Sequence, residues 1–221
     1  DGDILWRKEY GRLHVGRRLA LRRATYITAD TDILLKRCHS LGVKKNRTFR
    51  NVNGVDLQRF KPVRDRQVIK RQLGFEGRHI VLNPRGLGEE YNPETVMRTI
   101  PIVLNKIPDV LFVFINNAPP KRIEALKSLA AHLGVQDSLS FLEVRPQDSM
   151  PSLYQAADVM VSVATSDQSP VSMREAMACG TASLVTDLPG IRDWIRDGEN
   201  GFLVDPLDVD AVAAAIIELL T

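Results

Sequence analysis

The sequence predicts an α/β domain: a doubly wound parallel sheet of about six strands with helices on both faces. Three observations predict it. From residue 79 onward, short apolar runs alternate with segments of helical periodicity, the pattern left by a parallel sheet with crossover helices. The strand candidates are apolar almost throughout, as strands buried on both faces are. The loops between them are short, near the usual range of about two to six residues.

Taken in order, Arg17–Arg23 is expected to be helical and Ala24–Thr28 a strand. Asp30 would cap a helix from Thr31 to about Leu41, stopped by Gly42. Thr48–Val52 reads as a strand ending in the turn signal Asn53-Gly54, and Gln67–Leu73 as a short helix. His79–Asn83 is the first strand of the main sheet. Val96, Thr99, Ile100, Val103 and Leu104 give Glu94–Lys106 a helical stripe. Val110–Ile115 is a buried strand, Lys121–Leu133 a helix closed by Gly134, and Leu139–Leu142 a strand. Asp148–Ala157 is a short helix and Asp158–Ser162 a strand. A helix from Pro170 to near Gly180, a strand Ala182–Thr186, a helical turn near Ile191–Ile195 and a last helix from Asp208 complete the set. One strand–helix–strand unit cannot bury both its faces alone. Residues 1–52 are therefore expected to be the tail of a preceding domain, and residues 53–221 a nearly complete one.

Composition narrows the class. Of 221 residues, 44% are apolar and 26% charged, the balance of a soluble globular domain. No apolar run is long enough to span a bilayer. The first residues, Asp-Gly-Asp, carry no signal-peptide pattern and read as a cut inside a longer protein. Cys38 and Cys179 lack partners at metal spacing and read as reduced thiols of a cytoplasmic protein. Net charge is +3, but residues 1–78 hold 20 Lys/Arg against 8 Asp/Glu, and residues 79–221 hold 10 against 19. Two readings of the basic half stand open. It is a solvated face around Gly16–Arg23, or a surface that approaches acidic phospholipid or a phosphorylated lipid acceptor on the inner face of a membrane. Nucleic acid is disfavoured, because the basic residues are not interleaved with aromatics.

The stretch Asp167-Gln-Ser-Pro-Val-Ser-Met-Arg-Glu175 holds the chemistry. It sets two carboxylates eight positions apart around a helix start. Ser169 can cap, and Pro170 suits the first helical position, where its missing N–H would be unpaired anyway. The N–H groups of Val171 and Ser172 would then point out of the helix as an anion site. An ionised carboxylate at Glu175 is an acceptor-only group and suits a vicinal diol. Gly86-x-Gly88 invites a dinucleotide reading, but position 91 is Tyr where the third glycine would stand. His14, His39, His79 and His132 show no pairing that would hold a metal or build a nucleophile–base set.

Ser166–Gly180 resembles the acid-x7-acid motif of the family-4 retaining glycosyltransferases of the GT-B fold. So do Thr186-Asp-Leu-Pro-Gly190, Asp197-Gly-Glu-Asn-Gly-Phe-Leu-Val-Asp-Pro206 and Asn53-Gly-Val-Asp-Leu-Gln-Arg-Phe60, in the family's order and spacing over residues 25 to 221. The resemblance implies the second, Rossmann-like half of a GT-B enzyme. Such a domain binds a nucleoside-diphosphate sugar and needs no metal or other cofactor. Glu175 would bind the donor ribose. Catalytic roles would fall to Asp167, facing the transferred hexose, and to Arg85, meeting the diphosphate with the amides of Val171 and Ser172. Ser169, Tyr91, Asn116 and Val144 fall at positions near the donor. Two departures matter: Asp167 stands where the family most often has Glu, and Tyr91-Asn92 where Lys-Gly is usual. The resemblance further implies a full-length enzyme of cell-envelope glycan synthesis with a glycan or lipid-linked acceptor. The fragment alone is expected to be inactive, since half the catalytic cleft belongs to the preceding domain. A non-catalytic nucleotide-sugar-binding or interaction module of the same fold remains the alternative.

Overall fold

The computed structural model describes residues 11–221 apart from 144 and 145. They fall into two units. The smaller takes the chain up to Gly54 together with Ser166–Pro170 and Leu188–Trp194; the larger takes Val55–Thr165, Val171–Asp187 and Ile195–Thr221. Two late loops thus group with the N-terminal piece, an association that sequence order does not show.

In the smaller unit, helix Gly11–Arg23 precedes strand β1 (Ile27–Ala29), helix Asp32–Ser40 and strand β2 (Thr48–Arg50). β1 and β2 pair in parallel, Ile27 opposite Thr48. The first helix starts six residues before the expected Arg17. The helix cap is Thr31 (φ −130°), one residue after the expected Asp30, and its side chain makes no capping bond. Its buried hydroxyl instead donates to Gln168 Oε1 at 3.0 Å. Gly42 ends this helix at φ 94°, as expected. Within this unit Arg50 ties β2 to the Leu188–Trp194 loop through a bond from its guanidinium to Asp193 Oδ2 at 2.8 Å. Gly190 lies so near Gln168 that a Cβ would run into its backbone carbonyl.

The larger unit is a six-stranded parallel sheet of β3 (His79–Asn83), β4 (Val110–Asn116), β5 (Leu139–Glu143), β6 (Val159–Ser162), β7 (Ala182–Thr186) and β8 (Phe202–Val204). Its spatial order is β5-β4-β3-β6-β7-β8. The chain runs outward from β3 to β5, returns to the middle at β6 and runs outward the other way. That reversal at β3/β6 makes a crevice beyond the carboxyl ends of these two strands, where doubly wound folds bind ligands. β8 was not anticipated; three residues are too few for a period, and only Gly201 and Asp205-Pro206 on either side mark it.

Helices Pro93–Leu104, Pro120–Leu133 and Val209–Leu220 pack together, as do Arg66–Gln72, Met150–Ala156 and Val171–Ala178. They begin and end within about two residues of the expected positions. The stripe Val96, Met97, Ile100 and Val103 is fully buried against Val81, Phe112 and Phe114 of the sheet. Asp65 and Asp208 cap two of the helices through Gln67 N–H and Ala211 N–H. Gly134 and Gly180 close two others in the left-handed region, φ 68° and 75°, which a residue without Cβ enters at no steric cost.

The lower ends of β3 and β6 are joined at Asp158, which also forms an ion pair with helix Arg66–Gln72. Lys70, 3% exposed, donates through Nζ to Asp158 Oδ2 at 2.6 Å and to the Arg78 carbonyl at 2.8 Å. Asp158 also accepts from Ile80 N–H at 2.7 Å and from Arg66 at 3.2 Å. Breaking one side of such a pair strands a buried charge, a cost of about 3–5 kcal/mol. Asp158→Asn should therefore lower the urea unfolding free energy by an amount in that range. A smaller loss is expected from Lys70→Met, which removes the buried cation, keeps the stem's packing and leaves Asp158 its bonds from Arg66 and the Ile80 amide.

Candidate functional site

The crevice at the strand reversal is built from two loops and one helix. The loop after β3 begins with an Asx turn, Arg85 N–H donating to Asn83 Oδ1 at 3.1 Å. It then passes through Gly86 and Gly88 to Tyr91-Asn92. Arg85 lies with its guanidinium carbon 4.8 Å from the centre of the Tyr91 ring, within the range of a cation–π contact. Gly86 makes that stack possible, since a Cβ there would sit 2.9 Å from Tyr91 Cε2. Gly86 thus serves close packing of an aromatic ring, while Gly88 leaves room for the Glu90 carboxylate.

Asn92 replaces the family's usual glycine and still takes the left-handed conformation, φ 47° and ψ 49°, which Asn tolerates better than most residues. Its side chain supplies what glycine could not. Nδ2 donates to the Val163 carbonyl and to Thr165 Oγ1, both at 2.8 Å, and Thr165 N–H donates to the Glu90 carbonyl at 2.9 Å. The loop after β3 is thereby fastened to the end of β6. Farther along, Leu87 N–H is held by Asn117 Oδ1 at 3.2 Å and the Leu87 carbonyl by Arg122 at 2.7 Å. Arg122 is itself paired with Glu94.

Helix Val171–Ala178 supplies the other wall. Pro170 stands one residue before it, not at its first position as expected. The amides of Val171 and Ser172 therefore both belong to the first turn, whose N–H groups have no partner within the helix. Arg85 donates to Ser172 Oγ at 3.4 Å, so a guanidinium and a helix N-terminus, with its partial positive charge, come together.

One turn on, Glu175 is buried and accepts a bond from Tyr154 Oη at 3.1 Å. Burial pushes the Tyr154 phenol well above its ordinary value, and the Glu175 carboxylate beside it adds to the rise. Burial likewise pushes the Cys179 thiol up to about 11, with a further contribution from Glu175 opposed by a bond to the Lys61 backbone. Tyr154 was not singled out from sequence. It sits on a short helix without a motif residue, and nothing in one sequence shows that its hydroxyl reaches Glu175.

The structure thus gathers Arg85, Tyr91, Val171, Ser172 and Glu175 in the larger unit. Asp167 and Ser169 belong to the smaller unit, where Asp167 Oδ1 accepts from Gln168 N–H at 2.8 Å. Val144 lies outside the described residues, as does the side chain of Asn116. Among the described residues no three His, Cys, Asp or Glu side chains cluster as a metal site, and no helix is long and apolar enough to cross a membrane.

A parallel six-stranded sheet with this strand order is a Rossmann-like domain, and the comparisons with known proteins make it the C-terminal domain of a GT-B glycosyltransferase. Residues 65–221 match the model of the glycosyl transferases group 1, and the chain belongs to that family. The D-inositol 3-phosphate glycosyltransferase of Geodermatophilus obscurus is 32% identical over 215 residues, 93% of this chain and 48% of that protein. A GDP-mannose-dependent α-(1-6)-phosphatidylinositol monomannoside mannosyltransferase of Mycolicibacterium smegmatis is 27% identical over 175 residues, 76% of this chain and 45% of that one. The chain spans less than half the length of these relatives. Among solved structures, Anabaena HepE in complex with UDP and glucose superposes with a TM-score of 0.84 at 22% identity, covering 96% of this chain and 58% of that one. The C-terminal domain of the group 1 protein LpcC of Francisella tularensis gives 0.69 at 25%, covering 76% and 88%.

The Cys179 thiol carries a pH prediction. A thiol whose folded value is raised from 9.0 to about 11 keeps its proton in the fold after the unfolded chain has lost it. The unfolded state then binds fewer protons, so stability is complete below about pH 9 and falls as pH rises toward 11. Unfolding midpoints in urea at pH 8.5 and 10.5 should differ less for Cys179→Ala than for the parent chain.

Proposed function

We propose that this chain is the donor-binding domain of a retaining glycosyltransferase that transfers a sugar from a nucleoside-diphosphate sugar. The observation that carries the proposal is the meeting of Arg85 with the first turn of Val171–Ala178 at the strand reversal. A guanidinium and aligned backbone amides are what a diphosphate requires. Charge developing on the leaving diphosphate would be stabilised there by donors already in place. Glu175 would take the ribose hydroxyls and Asp167 the hexose, with Ser169, Tyr91, Asn116 and Val144 around the nucleotide. No metal takes part in this reading. The similar proteins named for GDP-mannose, or solved with UDP, support a nucleoside diphosphate without deciding the base.

In the whole protein the acceptor would be a glycan or lipid-linked molecule of the cell envelope, handled at the cytoplasmic side, with the basic N-terminal third facing acidic lipid. Residues 1–52 would be the end of the preceding, acceptor-side domain. One observation favours a second reading, a non-catalytic nucleotide-sugar-binding module. Tyr91 covers a face of Arg85 where the family usually places a second positive charge.

A thermal-shift panel of UDP, GDP, ADP and dTDP with their sugar conjugates tests the proposal. A ligand at about 100 times its dissociation constant adds roughly 2.7 kcal/mol, a shift of a few degrees at this size. One nucleotide should shift the chain, and the shift should fall sharply in Glu175→Ala and vanish in Arg85→Ala. No stabilisation by any of them would contradict the proposal. The 221-residue chain alone should show no sugar transfer above background; robust turnover would contradict that part.

A further inference from the structure

We infer that Tyr154 is a positioning residue for Glu175, and that the Tyr154–Glu175 pair makes the site select ribonucleotides over 2′-deoxyribonucleotides. The inference rests on the reading of Glu175 as the ribose ligand given above.

The two side chains come from different helices, Met150–Ala156 and Val171–Ala178, which pack together on the same side of the sheet. Both are buried, Tyr154 at 1% exposure and Glu175 at 8%. They are linked by the bond from Tyr154 Oη to Glu175 Oε2 at 3.1 Å. Tyr154 is itself held firmly. Its ring packs against Phe60, tilted by 56° at 6.1 Å between centres, and its carbonyl accepts from Thr181 Oγ1 at 2.5 Å. The phenol stays protonated across the ordinary pH range, so it acts as a constant donor.

A Glu side chain has three rotatable bonds and could otherwise adopt several rotamers. Anchoring one oxygen fixes the plane of the carboxylate, while an ionised carboxylate retains about three of its four lone-pair sites for other donors. Two adjacent ribose hydroxyls can use that remaining capacity; a deoxyribose offers one hydroxyl fewer. A fixed acceptor whose partner is missing is left under-bonded in a buried setting, which is how polar sites reject the ligand lacking a hydroxyl. The chain's selection among nucleotides would then depend on a residue that touches no ligand. A purely structural phenol would affect folding and leave the ribose preference untouched.

Isothermal titration of the 221-residue chain with UDP, GDP and ADP, each beside its 2′-deoxy form, separates these cases. The parent chain should prefer the ribose form of whichever diphosphate binds. Tyr154→Phe keeps the ring and its packing; it should reduce that preference about fivefold, the size of one hydrogen bond, with its unfolding midpoint recorded alongside. Glu175→Ala should abolish the preference, and adding Tyr154→Phe to it should change nothing more. A preference lost in Glu175→Ala but intact in Tyr154→Phe overturns the inference alone. A preference unchanged in Glu175→Ala, or no binding by any of the six nucleotides at millimolar concentration, overturns the reading of the site and the inference with it.

Discussion

The pairing of β3 with β6 holds the crevice, and it is a short one. Val81 lies opposite Val159 and Leu82 opposite Met160, so few backbone bonds join the strands at which the sheet changes direction. Side chains secure both ends. Below, Asp158 gathers Lys70, Arg66 and the Ile80 amide. Above, Asn92 reaches from the loop of one strand to Val163 and Thr165 at the end of the other. The two fastenings differ in kind. The lower is a buried charge pair far along the strands from the crevice, and its consequences are for stability. The upper one fixes the loop that carries Arg85 and Tyr91, so its consequences are for the site.

That distinction explains why the departures from the family's usual pattern need not be read as decay. Where Lys-Gly is usual, this chain has Tyr91-Asn92. The tyrosine ring supports Arg85 from one face, and Asn92 keeps the left-handed turn while adding two bonds. One positive charge is given up, and the remaining one is stacked on a ring. The first and second acids of the motif, Asp167 and Glu175, belong to different compact units. The loop of Asp167 is held by Thr31 through Gln168, and the neighbouring loop by Arg50 through Asp193. The N-terminal piece therefore has a direct structural part in carrying the motif.

Much of this was legible in the sequence. Alternating apolar runs and helical stripes gave the sheet and its helices, because burial on both faces leaves a pattern that needs no partner to be read. Arg85, Ser172 and Glu175 are reached through the resemblance to the family's motifs, and the structure sets Arg85 beside Ser172. What could not be read depends on contacts between distant segments. Thr31 caps by position but spends its hydroxyl on Gln168, 137 residues away, so Asp30 was the natural expectation. β8 is three residues long and exists because β7 offers it an edge. Tyr154 meets Glu175 only once two helices pack side by side, and the grouping of Leu188–Trp194 with residues before Gly54 has no local signature at all.

The central claim is that the first turn of Val171–Ala178 and Arg85 together form a diphosphate site at the β3/β6 reversal. Backbone amide NMR of the 15N-labelled chain, titrated with the nucleoside diphosphate that stabilises it, tests this most directly. The account predicts the largest shifts at the Val171 and Ser172 amides and along Arg85–Asn92, with those around Lys70 and Asp158 unmoved. Shifts confined elsewhere, or shifts at Val171 and Ser172 that persist unchanged in Arg85→Ala, would contradict it.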